Sequence, residues 1–90
     1  INENLIERID KNTIHVSGDT IIRDIIDFLN CTIPGDEFDT IAEIMLDELQ
    51  KLPRRGQTVT LGDVTCTVTE VKKRRIQKVK IQKSIDEIGI

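Results

Sequence analysis

The sequence contains no Trp and no Tyr, and its only aromatics are Phe28 and Phe38. That shortage removes the stacking platforms on which single-stranded nucleic-acid binders rely. The two cysteines, Cys31 and Cys66, form no C-x-x-C, and the single histidine, His15, cannot complete a zinc site with them. Both cysteines read as small buried hydrophobes of a reducing compartment. The five glycines are scattered, so no Gly-rich phosphate loop exists. No apolar run reaches the roughly eighteen residues of a membrane helix, and no secretory leader pattern is visible. The chain opens on Ile rather than Met, so a piece of a longer polypeptide is expected.

What is present suits one modest globular domain spanning residues 1–90. Hydrophobic residues make up 38% of the chain, sixteen of them Ile, which supplies enough apolar surface for a core. The net charge of −3 hides a strong asymmetry. Residues 1–50 carry twelve acids and three bases, whereas residues 51–90 carry ten bases and four acids. Two such halves attract each other or face different partners.

Local patterns predict the order β-β-α-α-β-β-β. "LIERI" (5–9) and "TIHVS" (13–17) read as strands joined by Asp10, Lys11 and Asn12. After Gly18, with Asp19 or Thr20 as cap, "TIIRDIIDFLNC" places Ile22, Ile25, Ile26 and Leu29 on one helical stripe. The loop 32–39 leads to a second helix. Its start carries Thr40 and Glu43 at capping-box spacing, and its inward side is expected to include Ile41, Ile44, Met45, Leu49 and Leu52. Lys51, Arg54 and Arg55 suit its C-terminal end, and Pro53 stops it. Beyond Gly56 the period becomes two. "TVTL", the Gly62-Asp63 turn and "VTCTVTEV" form a hairpin with Val64, Cys66 and Val68 on one face and threonines on the other. A last strand carries Val79 and Ile81 inward, after a turn over Lys72 to Arg74. Val71 and Ile76 break the parity, which predicts a bulge. Residues 84–90 read as a short C-terminal helix or tail. The fold class is α+β, with two helices on one face of a mostly antiparallel sheet.

Candidate sites are few. The basic hairpin 72–80 is the place where a nucleic-acid-binding module would be built, but no RNP-type, helix-turn-helix or zinc-finger pattern accompanies it. Alternation explains its lysines as a solvated strand face, with Lys78 and Lys80 as an interaction surface. Ser17, His15 and an Asp could assemble a hydrolytic triad, although nothing resembles a nucleophile elbow. No catalytic residue is assigned. Asp36, Glu37 and Asp39 lack the spacing of a calcium loop and suit a helix N-terminus better, so no metal site is assigned. An anion site can be built from Arg54, Arg55 and the backbone at Gly56, with Arg74 or Arg75.

In order and spacing the chain resembles the transporter-associated CorC/HlyC domain, from about Leu5 to Lys83. The likeness is carried by "VSGDT", "IIRDIIDFLN", "CTIPGDEFDTIAEIM", "KLPRRGQTV" and "GDVTCTVTEVKKRRIQKVKI". Within these, Thr40, Pro53, Gly56, Val68-Thr69-Glu70 and Arg75-Ile76 with Val79 and Ile81 match the family pattern. Glu43 and Gln50 stand where the family usually has Gly, and Cys66 where it commonly has an aromatic. The resemblance implies a non-catalytic regulatory or ligand-sensing module at the C-terminus of a haemolysin-like protein associated with Mg/Co efflux or cation antiport. It further implies CBS domains and a membrane domain as neighbours, docking against them or another copy, and a place at the cytoplasmic face of the membrane. Because the fold looks like a subdomain of FAD-binding proteins, FAD or an adenine nucleotide is the implied ligand.

Overall fold

The computed structural model describes residues 6–84, and within them the predicted element order stands. Five strands, β1 (Glu7–Asp10), β2 (Thr13–Ser17), β3 (Thr58–Leu61), β4 (Val64–Lys72) and β5 (Arg75–Lys83), form one sheet in the order β1-β2-β5-β4-β3. Every neighbouring pair is antiparallel. Helices α1 (Ile22–Leu29) and α2 (Ile41–Leu49) cover one face. The core lies between the layers, where Ile14, Val16, Val64, Cys66, Val68, Val79 and Ile81 meet Ile22, Ile25, Ile41 and Met45. The alternation in β4 is as expected: Val64, Cys66 and Val68 are buried, and Thr65, Thr67 and Thr69 are half-exposed on the far face.

Helix α2 begins at the predicted capping box, with the Glu43 amide donating to the Thr40 hydroxyl and the Thr40 amide donating to the Glu43 carboxylate at 2.9 Å. Helix α1 departs from expectation. Neither Asp19 nor Thr20 caps it; its N-cap is Ile21, without a side-chain cap. Its first amides are satisfied from a distance instead: Ile22 and Arg23 donate to the carbonyls of Asp39 and Glu37, each at 2.9 Å. The acidic loop therefore serves α1 through its backbone as well as leading into α2.

Helix α2 ends sooner than predicted, at Leu49, where Gln50 takes a left-handed conformation. No basic residue lies in its last turn, so Lys51, Arg54 and Arg55 fall beyond it. Leu52 is 64% exposed rather than inward, because the chain has already left the helix axis. The predicted irregularity in the last hairpin exists and is double. Neither Thr69 of β4 nor Gln77 of β5 has a register partner, so the two strands fall back into step near the turn. The expected C-terminal helix over 84–90 lies outside the described residues apart from Ser84.

Candidate functional site

The end of β2 opens onto a groove of about 1100 Å³. Four segments build it: the start of β1 at Glu7, the end of β2 with its turn from His15 to Asp19, the first turn and a half of α2, and the start of β5. Gly18 makes this convergence possible. Its amide donates to the Gln77 carbonyl at 2.8 Å, its carbonyl accepts from the Ala42 amide at 3.0 Å, and a Cβ there would stand 2.1 Å from the Ile76 oxygen. The bulged residue Gln77 thus supplies the acceptor that ties the turn after β2 to β5.

Apolar Val16, Ala42, Leu46 and Ile76 share the lining with the bases Arg75 and Lys78 and the acids Glu7, Asp19 and Glu43. Arg75 and Lys78 are exposed. His15 is half-buried, shares a 2.7 Å hydrogen bond between Nε2 and the Thr69 hydroxyl, and has Nδ1 3.9 Å from Glu7. The Ser17 hydroxyl donates to Asp19 at 2.5 Å. Among the described residues no hydrogen bond joins Ser17 to His15, so the nucleophile–base contact of a triad is not formed.

The residues singled out in the sequence fall in different places. Arg75 and Lys78 line the groove, whereas Arg54, Arg55, Gly56, Arg74 and Lys80 do not. Gly56 lies beside β4, its amide donating to Val68 at 2.7 Å, and the Arg54 amide donates to the Gln57 side chain at 2.7 Å. Arg74 occupies the tip of the β4–β5 hairpin. The groove itself was not foreseen, because it depends on the Gly18–Gln77 and Ala42–Gly18 contacts, which no local pattern announces.

Outside the groove lining, the acids of the loop before α2 and the two thiols are structural. Asp36 accepts from the Phe38 amide at 3.0 Å, and Glu37 lies 3.8 Å from Arg23. Partial desolvation, reinforced by Asp36 and Glu43, pushes the Asp39 carboxyl above its ordinary range. Among the described residues no three His, Cys, Asp or Glu side chains are grouped to hold a metal ion. Burial pushes the Cys31 thiol up to about 11 and the Cys66 thiol up to about 12, which leaves both protonated and inert at neutral pH. Among the described residues no helix is long and apolar enough to cross a membrane.

Comparison with known proteins extends these observations. Residues 7–84 match the transporter-associated domain family, CorC_HlyC. A region described as associated with an Mg2+ and Co2+ transporter, CorC, of Neisseria meningitidis superposes with a TM-score of 0.76 at 28% identity, covering 90% of this chain and 99% of that one. A CorC_HlyC domain of Haemophilus ducreyi superposes with a TM-score of 0.69 at 25% identity, covering 83% and 100%. The UPF0053 protein YegH of Escherichia coli is 38% identical over 45 residues, which are 50% of this chain but only 8% of that protein. The chain is thus equivalent to a small part of such a relative. With its family match running from the first strand to the end of the last, the chain belongs to the CorC/HlyC family of transporter-associated domains.

Proposed function

We infer that this chain is a non-catalytic regulatory domain of a haemolysin-like protein concerned with Mg/Co efflux or cation antiport, placed at the cytoplasmic face of the membrane. The observation that carries the reading is the family match over residues 7–84, supported by the likeness to the CorC-associated region. In this reading the domain docks against CBS domains and a membrane domain of its parent, or against another copy. Lys78 and Lys80, exposed on the outer sheet face, belong to the docking surface. FAD or an adenine nucleotide is the proposed ligand, and the groove is its proposed place. Its volume of about 1100 Å³ lies just above the roughly 300–1,000 Å³ of typical small-molecule sites, room enough for a dinucleotide. Ala42, Leu46 and Ile76 offer apolar surface to a ring, while Arg75 and Lys78 offer charge to a phosphate.

The two parts of the reading separate experimentally. In the intact parent, replacing residues 7–84 is expected to shift the cation concentration at which efflux switches on while leaving maximal flux intact. An unchanged threshold contradicts the regulatory role. Calorimetric titration with FAD and ATP is expected to give saturable binding that is weakened by Arg75→Ala and unaffected by Arg54→Ala. Absence of heat at millimolar ligand removes the nucleotide and leaves regulation standing.

A further inference from the structure

The tip of the β4–β5 hairpin is locally unfavourable in three ways at once. Lys73 and Arg74 form its two-residue turn with φ of 53° and 65°, a left-handed conformation that usually calls for Asn-Gly. Each such non-glycine residue costs about 1 kcal/mol or more. Immediately below the turn, Lys72 and Arg75 are directly cross-strand partners, and like charges in that position repel. Among the described residues none of these four cations lies within 4.0 Å of an acid.

The tip also stands clear of the sheet. On one side β2 leaves β5 at the Ser17–Lys78 pair. On the other, pairing of β3 with β4 ends at Thr58–Thr67 and continues only through the Gln57 and Gly56 contacts with Val68. The Gly18 amide still reaches the Gln77 carbonyl, and beyond that point the strands pair only with each other, through Val71–Ile76 and Lys72–Arg75. The doubled irregularity at Thr69 and Gln77 sits at the base of this projection and sets its twist.

We propose that this four-cation tip docks onto the acidic helical layer of a second copy of the same chain. The complementary surface is on the page: residues 18–50 carry nine acids and one base, against seven bases and one acid over 70–83. Asp24, Asp27, Asp47 and Glu48 are exposed on the two helices. That acidic layer repels a nucleic acid or an anionic bilayer, and the hairpin has no aromatic side chain with which to hold a base. Reciprocal docking, each tip on the other copy's helices, closes the pair with twofold symmetry rather than propagating. Two contacts of this size bury less than the roughly 1,200 Å² of a standard interface, so the association is weak and salt-sensitive. The proposal deepens the docking reading above by naming a surface and a partner. Its failure leaves the regulatory role in the parent untouched, because that role is measured by efflux.

The test is sedimentation equilibrium of the 90-residue chain up to millimolar concentration, at low and at high salt. A dimer is expected at 20 mM salt that weakens at least tenfold by 500 mM. Lys73→Glu with Arg74→Glu is expected to abolish it, as is Asp24→Lys with Asp27→Lys, and mixing the two variants is expected to restore a heterodimer. Lys73→Gln with Arg74→Gln, a milder change that preserves folding if the reversal does not, is expected to weaken association severalfold. A monomer at every concentration, a dimer indifferent to the tip, or variants that do not complement each other overturns the proposal. So does binding of the unchanged chain to DNA or to phosphatidylserine vesicles in preference to itself.

Discussion

The two turns that bracket β4 meet the same conformational demand in opposite ways. At its start, Gly62 takes a φ of 60° with Asp63 beside it, and a Cβ on Gly62 would lie 2.1 Å from the Thr32 carbonyl oxygen. Asp63 then stitches three segments together. Its carboxylate accepts from the Thr32 amide at 2.8 Å, its own amide donates to the Thr32 carbonyl at 3.2 Å, and its carbonyl accepts from Ser84 at 2.8 Å. At the other end, Lys73 and Arg74 adopt the same left-handed region without glycine and, among the described residues, without a side-chain hydrogen bond. One turn is chosen for the fold. The other keeps charge at the expense of the fold, a local conflict that the proposed docking role accounts for.

This contrast can be broken in stages. Gly62→Ala is the most severe change, since it meets backbone that cannot yield; urea unfolding is expected to show a loss of about 3 kcal/mol or more. Asp63→Ala removes the acceptor for Thr32 and is expected to cost about 1–2 kcal/mol by the same assay. A smaller effect belongs to a like-charge cluster elsewhere. Asp39 is held above its ordinary range by desolvation and by Asp36 and Glu43. Its ionised form therefore costs stability above that range, and the cost fades as pH falls through the raised value. Asp39→Asn is accordingly expected to raise the melting temperature at neutral pH and to match the parent sequence at pH 3. A lowered melting temperature at neutral pH contradicts that electrostatic picture.

Much of the fold was legible because its signals are local. The Thr40–Glu43 box, the Gly62-Asp63 turn and the alternation of β4 each lie within a few residues, where propensity and geometry agree. The cap of α1 is not legible in the sequence, because its acceptors are backbone carbonyls of Glu37 and Asp39, which carry no side-chain signature. Leu52 continues the helical stripe in sequence, yet the left-handed Gln50 turns the chain off the helix before it and leaves it exposed. The candidate site was legible only in part. The sequence points to Arg75 for an anion site and to Lys78 for an interaction surface, but their grouping with Asp19 and Glu43 depends on the close approach at Gly18.

The central claim is that the β4–β5 tip gives up stability to hold charge for a partner. Replacing it by the residues its backbone prefers, Lys73→Asn with Arg74→Gly, tests this in one protein. The account predicts a domain more stable by about 1 kcal/mol in urea that no longer associates at low salt. A variant that is no more stable, or one that still associates as the original does, contradicts it.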